Sequence, residues 1–213
     1  MATGAGPQGS IVRPITIHGG TEPQQPSHSG NEPKRPRTHE KIQWVIIELF
    51  AGLMSLSLAF ASMNIPVMAS FFSETCPDAM ACIAHHFPEA KDPGGVCEIS
   101  AAEIIELVKR FPGARFCLGG GPPCQDVSEL NATAAGAQGA RSVLREEFEH
   151  IYNILRDAIE ADKKGSAAER LLGILECTRM RPEDRPSYDK VFKVSPFELC
   201  SRHFTPATRP RWW

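Results

Sequence analysis

Gly119-Gly120-Gly121-Pro122-Pro123-Cys124-Gln125-Asp126-Val127-Ser128 is the stretch on which the reading of this chain turns. An apolar run, Ala114 to Leu118 with one arginine, leads into it and predicts a strand that stops abruptly in glycines. Pro122 and Pro123 then stiffen the backbone and remove two donors, so sheet pairing cannot continue through them. Cys124 follows at once, at the carboxyl edge of the strand. In open α/β sheets that edge is where ligands bind. Most free cysteines are small apolar residues that pack a loop. A cysteine held at such an edge by a rigid turn is also placed like a nucleophile.

Working outward towards the amino terminus, Trp44-Val45-Ile46-Ile47 predicts a short buried strand. Gly52 interrupts, Leu53 to Met63 has helical length, Asn64-Ile65-Pro66 breaks it, and Val67 to Phe72 resumes as a second apolar strand. No charged residue falls between Leu49 and Phe72, a span long enough to cross a bilayer. Strand, tight turn, helix, strand is nevertheless the better account, because a parallel strand buried on both faces is continuously apolar. Gly52 lets a ligand approach the backbone and the next helix presents its amino terminus. Glu74 lies 22 residues after Gly52, just past the second strand. An acid there is placed to accept hydrogen bonds from ribose hydroxyls.

Thr75 to His86 reads as a helix capped by Thr75. Cys82-x-x-His85 has ligand-like spacing, but no second pair answers it, and a structural zinc needs four closed ligands. No metal is expected. Ser100 with Glu103 forms a capping box for a helix running to about Arg110. Beyond the central stretch, Asn131 to Ala140 is rich in small residues and reads as a loop. A helix follows near Arg145 to Glu160, then a polar surface connection, Ala161 to Arg170. Leu171 to Leu175 predicts a strand ending in Glu176, and Phe192 to Leu199 another.

Residues 1–40 are rich in Gly, Pro, Gln, Ser and Thr and bury too little apolar surface to offset ordering entropy. Pro33-Lys34-Arg35-Pro36-Arg37 is a basic cluster, a nuclear import signal or a solvated stretch of linker. The remaining 41–213 is long enough for one domain with a real core. Seven scattered cysteines, an odd number, fit free thiols in a reducing compartment better than a disulfide framework. Net charge is −2, so bulk charge announces no nucleic-acid binder, and any such grip is local or comes from elsewhere.

Strand, Pro122-Pro123-Cys124-Gln125, and the earlier glycine turn together resemble the DNA cytosine-5 methyltransferases. The order of Cys124, Ser128, Asn131, Gly136 and Gly139 is most similar to their de novo eukaryotic branch. The resemblance spans about 43–213. It implies a Rossmann-like S-adenosylmethionine-dependent methyltransferase fold, α/β, with a mostly parallel sheet and helices on both faces, incomplete at its carboxyl end. It implies that the chain stops before a target-recognition segment and a closing helix. It assigns Cys124 as the nucleophile that attacks cytosine carbon 6 so that carbon 5 takes the methyl group. Glu176 would stabilise the ring nitrogen N3, where the family's Glu-Asn-Val is here Glu176-Cys177-Thr178. Arg209 and Arg211 match an Arg-x-Arg pair of the active site. Phe50, Ala51, Gly52, Glu74, Glu98 and Pro122 would hold S-adenosylmethionine, Glu98 after a third strand. The 131–140 loop would close over a cytosine flipped out of DNA. The cell nucleus is the expected location, and a protein partner would supply the missing DNA grip. Two alternatives stand beside this: an RNA cytosine-5 methylase, and a methylase-like module that binds without catalysis.

Overall fold

A computed structural model describes residues 42–133, 135, 136, 139, 142, 144–192, 196–203 and 210–213. All lie in the unit His39–Trp213. Four parallel strands form the sheet: β1 (Trp44–Leu49), β2 (Val67–Ser73), β3 (Arg115–Gly120) and β4 (Leu171–Leu175), in the order β2-β1-β3-β4. The chain leaves β1 to one side for β2 and returns on the other side for β3. This reversal is the topological switch, and it opens a crevice beyond the carboxyl ends of β1 and β3.

Alternation along the strands sorts the side chains between two helical layers. Val45, Ile47 and Leu49 of β1, with Phe116 and Leu118 of β3, face one layer. There they pack on Ile104 and Val108 of α3 (Ala101–Arg110) and on Phe148, Ile151, Leu155 and Ile159 of α4 (Leu144–Asp162). Ile46 and Cys117 point the other way, onto Phe60 of α1 (Ser55–Ser62). Phe72 joins Met54 and Ile83 of α2 (Pro77–His86). The continuously apolar run of β1 is thus a strand buried on both faces. Among the described residues no helix is long and apolar enough to cross a membrane.

Glu48 is the exception in that run, a carboxylate only 4% exposed. It accepts from Leu56 N (3.0 Å) and Ser57 N (2.8 Å), the free amides that open α1. Met54, at the N-cap, makes no side-chain cap of its own. A buried anion on the positive end of a helix dipole meets both its hydrogen-bonding and its charge requirements. Glu48→Ala should lower stability by about 1–3 kcal/mol, read as the urea midpoint, because two buried donors lose their acceptor. An unchanged midpoint would mean that water serves α1 equally well.

The capping box on α3 forms as expected: Glu103 N donates to Ser100 Oγ and Ser100 N to Glu103 Oε2. These bonds hold the Glu103 carboxyl below its ordinary range. Four local expectations are corrected. Helix α2 begins at Pro77 with Cys76 rather than Thr75 at the N-cap and no side-chain cap, and the two amides just before it, Thr75 N and Cys76 N, bond Glu74 Oε1. Pro77 suits a first helical position, where its missing N–H costs nothing. The connection 161–170 is not all surface. It ends in a helical turn, α5 (Ala167–Arg170), where buried Arg170 donates to Ala114 O (3.0 Å) and Asp162 (2.7 Å). Phe192 ends a helix, α6 (Arg185–Phe192), and the following strand β6 is only Glu198–Cys200. Among the described residues no third strand precedes Glu98. The chain touches the edge of β2 by a single parallel bridge, Phe71 with Lys91, and Val96–Glu98 is one 3-10 turn. Gly94 and Gly95, with Asp92 bonding Gly94 N, bend the chain there before a ladder can extend.

A second, antiparallel sheet stands at the carboxyl end of the first: β5 (Cys177–Thr178) and β7 (Pro210–Trp212), with β6 on the far side of β7. Cys177 in β5, Cys117 in β3 and Tyr188 in α6 are all buried, and burial first of all pushes each group's pKa up to about 12. The folded chain therefore keeps them neutral while an unfolded chain ionises from about pH 9. Their contribution is complete below that pH and is lost as pH climbs from about 9 to 12, at about 1.4 kcal/mol per pH unit per group. Urea midpoints measured across that window should fall steeply, and less steeply in Cys117→Val. Equal slopes for the two proteins would refute the assignment of Cys117.

Candidate active site

The switch crevice is lined on the β1 side by a turn of unusual backbone. Phe50 (φ 54°), Gly52 (φ 54°) and Met54 (φ 56°) all occupy the left-handed region. For a bulky residue such as Phe50 that is an outlier, of the kind that concentrates where a binding site dictates backbone shape. Ala51 N donates to Ser73 O, and Gly52 N donates to Glu74 Oε2 at 2.7 Å. The carboxylate of Glu74 therefore ties the β1 turn to the start of α2, with Thr75 N and Cys76 N on its other oxygen.

Next to it lies a cleft of about 490 Å³, lined among others by Phe50, Glu74, Cys97, Glu98, Pro123 and Gln125. Its size is that of pockets that take a nucleoside-sized ligand. Three of the six residues expected to hold a cofactor, Phe50, Glu74 and Glu98, face this cleft. Ala51 and Gly52 form the turn beneath it. Pro122 stands between Gly121 and Pro123, which line it. Glu98 Oε2 is occupied by Gly95 N at 2.8 Å. The donor set suits an adenosine-type ligand: an aromatic ring, an acid at the end of β2 and a second acid across the cleft.

Cys124 sits half-buried just past β3. Its carbonyl accepts from Val127 N (3.1 Å) and Ser128 N (3.0 Å), so the two prolines are followed by one tight turn. The segment after it is stitched to the chain beyond β5. Ser128 bridges Met180, Glu129 N donates to Arg179 O, and Arg181 N donates to Val127 O. Asn131 Nδ2 donates to Gln125 O at 2.8 Å.

Glu176 lies at the carboxyl end of β4, its N–H donating to Gly120 O at 2.8 Å. It thereby stands beside the glycines that precede Cys124. One carboxylate oxygen packs so closely on Gly121 that a Cβ there would lie 2.9 Å from Oε2. Any side chain at 121 would displace the carboxylate. The other oxygen, Oε1, forms an ion pair with Arg211 Nε at 2.5 Å, both side chains being about a quarter exposed. The Nε–H itself finds no aligned acceptor there. The backbone sets this pairing, because β5 and β7 align Thr178 with Arg211 and Cys177 with Trp212.

The structure thus brings Cys124, Glu176 and Arg211 to one edge, next to the cleft. Arg209 lies outside the described residues, as do residues 134, 137, 138 and 140 of the expected closing loop. Where that loop is described it is anchored: Gly136 N donates to Asp126 O, and Ser142 Oγ to Gly136 O. Among the described residues no cluster of ligating side chains could hold a metal ion. Sequence reasoning missed Gln125 and Cys97 as cleft residues, and Glu48 as a helix cap. Glu48 had a signal, a lone acid in an apolar strand. Cys97 had none, since its place depends on the 3-10 turn.

Solved structures share this architecture. A protein described as a DNA modification methyltransferase, encoded within an E. coli prophage, matches with a TM-score of 0.54 at 19% identity, over 79% of this chain and 45% of its own. The S. pombe Dnmt2 methyltransferase matches at 0.51 and 16%, over 79% of this chain and 47% of its own. The chain spans less than half the length of either. No family model and no curated protein matches it. At these identities the likeness is one of fold: a Rossmann-like fold of the S-adenosylmethionine-dependent methyltransferase class, with a mostly parallel sheet and helices on both faces.

Proposed function

We propose that this chain carries the catalytic half of a DNA cytosine-5 methyltransferase, of the de novo eukaryotic type. The observation that supports the reading above all is that Arg211 pairs with Glu176, which packs on Gly121, while Gly121, Pro123 and Gln125 on either side of Cys124 line the cleft. S-adenosylmethionine, when bound in the cleft, supplies an electrophilic methyl group. Phe50, Glu74 and Glu98, which line the cleft, would hold it, the acids as acceptors for its hydroxyl and amino groups.

The chain's own residues do the rest. Cytosine carbon 5 is a poor nucleophile until a thiolate adds to carbon 6. Cys124 makes that bond, and sulfur suits the task because a thiol ionises near neutral pH far more readily than a hydroxyl. Glu176, as a protonated or proton-sharing acid, would donate to the ring nitrogen N3, and Arg211 would fix the Glu176 carboxyl and the base carbonyl. Loss of the carbon 5 proton to a water molecule, with the electron pair expelling Cys124 as a thiolate from carbon 6, completes the exchange. Because none of these groups can reach into a stacked duplex, the base is flipped out. A partner or further chain supplies the DNA grip that a net charge of −2 does not. Nuclear location goes with this reading, on the cluster Pro33–Arg37.

The test is covalent trapping. The chain is incubated with S-adenosylmethionine and a duplex containing 5-fluorocytosine, whose carbon 5 fluorine cannot leave as a proton does. A denaturation-resistant adduct on Cys124, seen by mass spectrometry, is the expected result. Adduct with an RNA but not with DNA would shift the substrate class. Cofactor binding without any adduct would favour a non-catalytic binding module, the reading to which Cys177 in place of an amide side chain lends weight.

A further inference from the structure

Cys124 does not pack against inert residues. Its inner side lies on a small cluster of its own, separate from the main core, made by Val127, Cys177, Met180 and Tyr188. Cys177 is the buried thiol of that cluster, 4% exposed, whereas Cys124 is half-buried and opens to the surface. Both thiols belong to this one packed cluster, and a charge on Cys124 raises the cost of ionising Cys177. Cys177 is held by backbone on both sides: Glu176 N on Gly120 O, and β5 on β7. The turn carrying Cys124 is stitched to the same segment through the Ser128–Met180 bridge. Two thiols are thus fixed in one packed unit, one accessible and one shielded.

We infer that Cys177 is the resolving thiol of Cys124, and that hydrogen peroxide converts the pair to an intramolecular disulfide. The Cys124 thiolate attacks one peroxide oxygen and the O–O bond breaks, leaving Cys124 as a sulfenic acid and releasing hydroxide, which takes a proton to become water. The Cys177 sulfur then attacks the Cys124 sulfur. The S–O bond breaks, and the departing hydroxyl leaves as a second water with the thiol proton. Two thiols lose two electrons and one peroxide gains them. Burial keeps Cys177 protonated, so the accessible Cys124 meets the oxidant first. The disulfide protects Cys124 from irreversible over-oxidation and withdraws it from any reaction at the cleft until a thiol reduces it. The inference rests on the placement of the two sulfurs and holds whether or not the chain transfers methyl groups.

The test begins on the unaltered chain. The whole chain is treated with a few equivalents of hydrogen peroxide, blocked with N-ethylmaleimide, and digested with trypsin without reduction. The expected product links residues 116–141 to residues 171–179. Fragmentation before Pro122 and Pro123 assigns the bond to Cys124 rather than Cys117, and dithiothreitol restores both thiols. In Cys177→Ser, Cys124 should instead react with dimedone as a persistent sulfenic acid and proceed to sulfinic acid. Cys124 found as sulfinic acid in the unaltered chain, or joined to Cys76, Cys82 or Cys97, would overturn the inference. So would recovery of Cys124 as free thiol after such treatment.

Discussion

Cys124→Ser should reduce methyl transfer by at least about 10³-fold while cofactor affinity stays within about twofold. A hydroxyl in the same place is far less ionised and less nucleophilic than a thiol, so the bond to carbon 6 no longer forms at a useful rate. The replaced atom is half-buried and lies outside the main core, and the turn around it is held by the Cys124 carbonyl, which serine keeps. Stability should therefore change little. The measurement is paired: methyl incorporation into DNA, and cofactor binding by calorimetry, on the same preparation. Loss of both together would make Cys124 a structural residue. Full activity in the serine variant would remove the covalent mechanism altogether.

Glu176→Gln should be the next largest effect, about 10²–10³-fold in kcat, with cofactor affinity retained. The amide keeps the shape of the side chain against Gly121 but removes the negative charge that faces Arg211. Since that pair is about a quarter exposed, water shares the loss and the stability change should stay near 1 kcal/mol. Adduct formation with 5-fluorocytosine DNA separates the step affected: a slow adduct places Glu176 in the attack itself. A normal adduct rate with slow turnover would move its role to a later step. Unchanged kcat would leave the Glu176–Arg211 pair a mere strut between the two sheets.

The apolar runs of β1, β2, β3 and β4 could be read directly from the sequence, and in the two central strands, β1 and β3, burial on both faces requires that continuous apolarity. The turn at Gly52 and the stop at Pro122-Pro123 were equally legible, being local backbone chemistry. So was the capping box at Ser100, whose two partners are three residues apart. Cys124 and Glu176 could each be named as residues at the ends of strands. The ends of short elements were not legible. The N-cap of α2 fell to Cys76 instead of Thr75, and the run after Phe192 gave way to three residues of strand, because such ends are settled by whichever partner lies across from them.

By itself, then, the sequence determined the parallel sheet and the chemical types waiting at its edge. Only the tertiary structure decided which of them meet. Arg211 reaches Glu176 because β7 pairs with β5 across more than thirty intervening residues. Cys177 shares a packed cluster with Cys124, and the two segments are stitched at Ser128 and Met180. Glu48 closes a helix that begins seven residues later. Periodicity records which face a residue turns to the core, and carries no record of its neighbour across a gap. That information resides in strand register, which the fold as a whole sets.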